Sequence, residues 1–330
     1  MKGEGRTGMI KYITKRIIQI IPTLIGITII SFIVIRLAPG KPTDLTTQLN
    51  PKISYQARER IEKAFGFDKP VYIQYLNWVK KIVRFDFGRS FIDGRPVMQK
   101  IRERLPITLL INILSLIFIF ILAVPIGIKS AVQRDSFYDK VATVILFVLF
   151  AAPGFWLALM LMSFFGVHLG ILPVSGIASL DFDKLNMGAK ILDVAKHLIL
   201  PVTVASLGGL AGISRYTRQS MLKSLHEDYI RTAVSKGLDE RRVIYVHALR
   251  NALLPIITIL GLSIPGLISG SVIFESVFNI PGMGRLMVES VFSRDYNVIM
   301  AGLFFSALLT LFGNLIADIA YFYADPRIRS

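Results

Sequence analysis

Few residues of this chain have the types and spacing that chemistry requires, and each candidate set is incomplete. Gly127-Ile128-Lys129-Ser130 ends like a phosphate-binding loop, but the upstream glycine is missing and the stretch closes an apolar run. ATP hydrolysis by this chain is therefore not expected. His226-Glu227 opens like a zinc-protease helix, yet Ile230 occupies the place of the second histidine. The other histidines, His168, His197 and His247, are scattered, and the chain has no cysteine. Metal ligation, disulfides and a cysteine nucleophile drop out together. With no paired nucleophile and base, the chain reads as no enzyme, with no metal and no cofactor of its own. Asp318 lies within one apolar run and Glu275 near the end of another. An ionisable group there is either functional or locked in a polar knot, for Asp318 with Asn314.

The most informative stretch is DYIRTAVSKGLDERRVIYVHALRNALLP, from Asp228 to Pro255. It is a basic, amphipathic insertion between two apolar runs. From Asp228 the spacing predicts a helix with Ile230, Ala233 and Val234 on one stripe, broken at Gly237. A second helix resumes at about Glu240, with Val243, Ile244, Val246, His247 and Leu249 set among arginines. Two short helices around a glycine turn make a projection that can sit in a partner's groove. Periodicity alone equally allows a helix pair lying on lipid headgroups with its charges outward. A second glycine-rich element, Pro281–Gly284, reads as a tight external turn or as part of a gate.

The elements that must carry these residues are membrane spans. Hydrophobic residues are 53% of 330, charged residues 18%, and the mean hydropathy is +0.58. The apolar residues come in blocks, as in a chain seated in lipid. Six runs approach the roughly 20 residues of a span: Ile17–Leu37, Ile107–Ile128, Val141–Val167, Leu198–Ile213, Leu253–Val277 and Val298–Tyr323. The fourth is short, with Pro201, Gly208, Gly209 and Gly212, and reads as a helix packed inside the bundle. The first is too long for the core of a signal peptide and reads as an anchor.

The net charge of +16 would suggest nucleic acid in a soluble protein. In this chain it reflects loops held at an anionic leaflet, and no nucleic-acid partner is expected. Basic residues such as Lys15, Arg16, Lys129, Arg134, Arg215, Arg218, Arg241 and Arg327 place both termini in the cytoplasm. The segment from Ala38 to Pro106 is then external. Ser54 could cap a helix to about Phe65, closed by Gly66, and Pro70 could open the helix VYIQYLNWVKKIV. Val97–Leu105 reads as an amphipathic lead-in lying at the interface before Pro106 starts the second span. The whole segment is either a lid over the bundle or a docking surface for an external partner.

The charged insertion resembles the cytoplasmic coupling loop of ABC importer membrane subunits. Their pattern is Glu-Ala-Ala, three residues, then Gly, and later Leu-Pro. Here Arg231-Thr232-Ala233, Gly237 and Leu254-Pro255 stand at those places. Arg231 replaces the glutamate and the second spacing is longer, as in the branch for peptides and nickel. IPTLIGITIISFIVIRLAPGKP (Ile21–Pro42), FGFDKPVYIQYLNWVKKIVRFDFGRSF (Phe65–Phe91), LGILPVSG (Leu169–Gly176), FNIPGMGRLMVESVFSRDYNVIMA (Phe278–Ala301) and ADPRIRS (Ala324–Ser330) are similar to landmarks of the same branch. The chain is thus identified as a member of the dipeptide, oligopeptide and nickel ABC transporter permeases, of the type with a long external segment.

That resemblance implies an all-α integral membrane protein of the type I importer permease fold, with six transmembrane helices. Residues 1–106 would hold the first span and external segment, and 107–330 the core permease with its coupling loop, 214–252. Coupling to an ATPase would fall to Asp228, Tyr229, Arg231, Ala233, Lys236, Gly237, Arg241 and Arg242. Pro281, Gly282, Gly284 and Asp318 are candidates for gate or path. The implied partners are a second, related permease, two ABC ATPase subunits that bind ATP and magnesium, an extracytoplasmic solute-binding protein and membrane lipid. The implied location is the plasma or inner membrane of a prokaryote. Peptides are the expected substrate, with nickel and oligosaccharides open. Two other classes are less well matched. An ion-coupled secondary transporter should show inverted repeats and several carboxylates at mid-membrane depth. A membrane enzyme needs a catalytic set.

Overall fold

The computed structural model describes residues 4–37, 69–263, 266–267 and 270–324. Regular structure among them is helical, apart from one antiparallel bridge between Arg89 and Pro96. In chain order the helices are α1 (Glu4–Leu37), α2 (Val71–Val83), α3 (Val97–Val132), α4 (Phe137–Ala151) and α5 (Gly154–Leu161, continued by a π-helical stretch, Met162–His168). They continue as α6 (Met187–Leu225), α7 (Asp228–Ser235) and α8 (Glu240–Arg242), which runs through a second π stretch, Val243–Ala248, into α9 (Leu249–Ser263). Last come α10 (Val272–Val277), α11 (Met283–Phe292) and α12 (Tyr296–Ala324). The predicted helix from Ser54 to about Phe65, closed by Gly66, lies outside the described residues.

Among the described residues, four helices are long and apolar enough to cross a membrane: Ile13–Leu37, Val97–Val132, Met187–Leu225 and Tyr296–Ile316. Two bent pairs bring the number to six if each is one span, Phe137–Ala151 with Gly154–His168 and Glu240–Leu253 with Pro255–Ser263. The third and fifth runs, expected as single spans, are therefore broken. In the third the axis turns by 102°. Ala152, preceding Pro153, is extended at ψ 135° because a proline ring excludes the helical conformation from the residue before it. In the fifth the bend is 44° at Pro255, whose ring removes a helical N–H and crowds the preceding turn. That helix stops at Ser263, so Val272–Val277 is a separate element rather than the end of a span.

The residues form two compact units, each with its own core. One comprises Met1–Ile107, Ile268–Val272 and Pro281–Leu315, the other Thr108–Leu267, Ile273–Ile280 and Ile316–Ser330. In the first, Phe87, Val97, Ile101, Met283, Leu286 and Val298 pack together. The lead-in Val97–Leu105 thus does not lie on the interface. It is the first part of α3, with Val97 and Ile101 buried, and the helix runs on through Pro106. Apolar burial at Val97 and Ile101 outweighs one missing N–H. Asp295 is buried here, accepting from the Ser90 hydroxyl and, at 3.2 Å, from the Phe91 N–H.

In the second unit α6 is the central element, with Leu200, Val204, Leu207, Leu210 and Ile213 buried. It is far longer than the expected Leu198–Ile213. A Cβ on Gly127 of α3 would stand 2.6 Å from the Ser214 carbonyl oxygen of α6, so this glycine serves close helix packing. That accounts for the glycine in the incomplete phosphate-loop sequence. Asp139 of α4 and Arg218 of α6 form a two-pronged ion pair, with Nε–Oδ1 at 2.8 Å and Nη2–Oδ2 at 2.7 Å.

Candidate coupling surface

The charged insertion folds as a small module on the end of α6. Its apolar side comes first. Ile230 and Ala233 of α7 are buried with Val243, Ile244 and Ala248 against Met221 of α6 and Ile128 and Ala131 of α3. Val234, expected on the same stripe, is 58% exposed, and Val246 is 53% exposed. In α7 only the i, i+3 pair Ile230 and Ala233 is buried. Asp228 and Glu240 occupy the first turns of α7 and α8, where a negative charge favours the helix.

Gly237 ends α7 at φ +73°, the left-handed region that suits glycine. Its N–H donates to the Val234 carbonyl at 2.9 Å, and the Leu238 N–H reaches the Ala233 carbonyl at 3.4 Å. This pair of bonds is a Schellman closure. Asp239 then caps α8 by accepting from the Arg241 N–H at 3.1 Å. The Ser224 hydroxyl ties three elements together, donating to the Ala248 carbonyl at 2.8 Å and meeting the Tyr229 hydroxyl at 2.5 Å. Ala248 closes the π stretch, a helix form often found at functional sites.

On this braced base the outer surface is polar. Asp228, Tyr229, Arg231, Lys236, Gly237, Arg241 and Arg242 are exposed, while Ala233 is turned inward. Arg231 and Asp228 approach to 3.5 Å with both side chains open to solvent, a weak contact. A hollow of about 270 Å³ beside Tyr229 is lined by Lys223, Glu227, Asn251 and Pro255. Nothing in this arrangement sets a nucleophile beside a base. What it offers is an exposed, mixed-charge surface.

The remaining candidates fall elsewhere. Pro281, Gly282 and Gly284 belong to the other unit. Gly282 precedes the first residue of α11 and Gly284 lies in the first turn of that helix, both buried and with negative φ. Gly284 is needed for close approach, since a Cβ there would stand 2.8 Å from the Val272 nitrogen and 2.9 Å from the Gly270 carbonyl carbon. Asp318 is half-buried on α12 and Asn314 is exposed. Glu275, buried in α10, accepts from the Thr108 hydroxyl at 3.0 Å. The ring Nδ1 of His168, His197 and His226 each meets a main-chain carbonyl four or five residues earlier, at 2.9, 2.8 and 2.7 Å. In the loop between α2 and α3, burial pushes the Asp93 carboxyl up, but hydrogen bonds from the Lys100 ammonium and the Arg95 N–H prevail and hold it at about 2.

Residues 123–330 match the family model described as binding-protein-dependent transport system inner membrane component. Residues 9–112 match the model for the N-terminal part of such membrane components. The chain is 46% identical over 321 residues to the oligopeptide transport system permease protein AppB of Bacillus subtilis (strain 168), covering 97% of this chain and 99% of that one. It is 35% identical over 337 residues to the di/tripeptide transport system permease protein DppB of Pseudomonas aeruginosa (strain UCBPP-PA14), with coverage of 97% and 99%. Against the dipeptide transport system permease protein DppB of Escherichia coli (strain K12) the identity is 36% over 337 residues, with the same coverage.

Proposed function

Because the chain belongs to the family of binding-protein-dependent transport system inner membrane components, we propose that it is the membrane-spanning permease subunit of an ATP-driven peptide importer. It acts as one component among several. We assign it a second, related permease alongside, two ATPase subunits carrying ATP and magnesium, and an external solute-binding protein that delivers peptide. Both termini lie in the cytoplasm of a prokaryotic cell, and the chain has no cofactor of its own.

The observation that carries the mechanism is the module on α6. Its outer face is exposed and charged, while its inner face is fastened to α6 and α3 by the apolar cluster and by Ser224. An ATPase gripping Asp228, Tyr229, Arg231, Lys236, Arg241 and Arg242 would move the module as one body. That motion would pass to α6 and switch a central path between its two openings. Gly237 and Ala233 shape the module rather than making its charged contacts. Pro281, Gly282, Gly284 and Asp318 remain candidates for the path.

The test is purification of the tagged chain from its own membranes in mild detergent, followed by reconstitution. Recovery of a P-loop ATPase and a second permease, with peptide uptake that requires ATP, is the expected result. Recovery of the chain alone, with uptake driven by an ion gradient, would replace this reading by an ion-coupled carrier and turn attention to Asp318.

A further inference from the structure

The external helix α2 has three distinct sides. One side packs on α1: the Tyr75 hydroxyl meets the Thr28 hydroxyl at 3.0 Å, and the Phe32 ring lies 5.4 Å from Tyr75 and 6.3 Å from Trp78. A second, polar side with Gln74, Asn77 and Lys81 borders a cavity of about 140 Å³ that Arg36 and Asp86 also line. The third side is apolar and open. Tyr72, Leu76 and Val83 are 67%, 53% and 74% exposed, and Phe85, just past the helix, is 70% exposed. Tyr72, Leu76 and Val83 fall within about 40° of one another around the helix, so they form one stripe rather than scattered single residues.

We propose that this stripe is seated in lipid, in the membrane leaflet at the Leu37 end of α1. The first argument is position. Thr28 and Phe32 lie about 13 Å and 8 Å short of Leu37 at about 1.5 Å per residue, within the outer part of the hydrocarbon if α1 spans the bilayer. Alongside them α1 itself leaves Ile29, Ile30, Ile33 and Val34 exposed, and only 11% of its apolar window is buried. Both helices of this contact thus leave large apolar side chains exposed.

The second argument is composition along the helix. The start, VYIQYL, is largely apolar, and the basic residues Lys80, Lys81 and Arg84 collect at its far end. Tyr72, Tyr75 and Trp78 are the amphipathic rings that favour the headgroup level, and basic side chains there reach lipid phosphates. The third argument is Phe85. It closes α2 at φ +58°, with its N–H donating to the Ile82 carbonyl at 2.8 Å and that of Asp86 to the Lys81 carbonyl at 3.0 Å. This is the closure that Gly237 makes on α7, here held by a bulky ring in a conformation that disfavours it. An exposed phenylalanine retained at that cost is accounted for when its ring enters an apolar medium.

The absence of cysteine makes the test clean. Tyr72→Cys, Leu76→Cys, Val83→Cys and, as the reference on the polar side, Lys81→Cys are introduced one at a time into the full chain. Each variant is labelled with an environment-sensitive fluorophore and reconstituted with its retained subunits into phosphatidylethanolamine–phosphatidylglycerol vesicles. Brominated acyl chains should quench the labels at 72, 76 and 83 strongly and the label at 81 weakly. Aqueous iodide should show the reverse order. Quenching of the stripe by iodide would overturn the proposal in favour of a water-exposed surface. Protection from both quenchers would overturn it in favour of a protein partner, either another subunit or a second copy of this chain. All four positions are exposed, so folding is tested separately by retention of the same subunits in each variant.

Discussion

Gly237 allows the coupling role of the module to be separated from its architecture. A Cβ at this position meets no atom within 4 Å, so a side chain there costs nothing in packing within this chain. The backbone is the only internal obstacle, at φ +73°. Alanine should cost about 1 kcal/mol of left-handed strain, and asparagine clearly less because its side chain tolerates that region. A loss of about 1 kcal/mol shifts the population of the closed turn about five-fold, which a well-anchored module absorbs. Gly237→Glu carries the same strain as alanine and adds a charged chain pointing outward. If the outer face docks an ATPase, the order of ATPase recovery on a tagged permease should be Asn, then Ala slightly weaker, with Glu nearly abolished. The yield and melting temperature of the permease should stay similar across the series. Equal ATPase recovery and equal peptide uptake for the glutamate and asparagine variants would refute the docking surface. A uniform fall that tracks strain alone would reduce Gly237 to a folding residue.

Gly284→Ala is expected to behave in the opposite way, because its Cβ would press on main-chain atoms of Gly270 and Val272 that cannot swing aside. A loss of about 1–3 kcal/mol and a lower melting temperature are expected, independent of any partner. Asp139→Asn leaves Arg218 without its two-pronged acceptor and should cost about 3 kcal/mol in thermal unfolding, near the low end for a buried pair because Arg218 keeps 30% of its side chain exposed. A loss below about 1 kcal/mol would mark the pair as an ordinary surface contact. Asp93 adds a pH dependence. Its folded carboxyl lies at about 2, below the ordinary 3.8, so its contribution is present above the unfolded value and is lost as pH falls towards 2. Pepsin cleavage of the loop at 85–96 should therefore rise over that window, and Asp93→Asn should flatten the rise.

The legibility of these features in the sequence follows how local their causes are. Pro70 opening α2 and Gly237 closing α7 are decided by residues within one turn, and both are readable from the chain. The broken third run is not readable from hydropathy, because Val141–Val167 carries no charged residue on either side of the break and the turn is dictated by one backbone restriction at Ala152-Pro153. The burial of Val97 and Ile101 depends on Met283, Leu286 and Val298, far away along the chain, so amphipathic spacing alone misassigned that face to the interface. The same holds for the polar contacts. Arg218 and Asp139 are 79 residues apart, and Ser90 and Asp295 are 205 apart, with no local pattern to announce either pair. For the module, its existence and its glycine turn are legible, but which residues face outward is only partly so. Val234 and Ala233 are neighbours of similar apolar character, and only the tertiary contact decides that one is covered and the other is bare.

The length of α6 has a mechanical meaning. Its 39 residues make a strut of about 58 Å, nearly twice the roughly 30 Å of a bilayer's hydrocarbon. Near one end Asp193 holds the Ser179 N–H at 2.8 Å, and at the other Ser224 and Arg218 hold the module and α4. Over such an arm a tilt of about 10° at one end sweeps the far end by about 10 Å, assuming a straight rod at about 1.5 Å per residue. If a partner docked on the charged end tilts the module, the far end of α6 is displaced by about 10 Å for each such rotation. The stiffness of that arm is set near its middle, where Pro201, Gly208, Gly209 and Gly212 interrupt otherwise good helix formers.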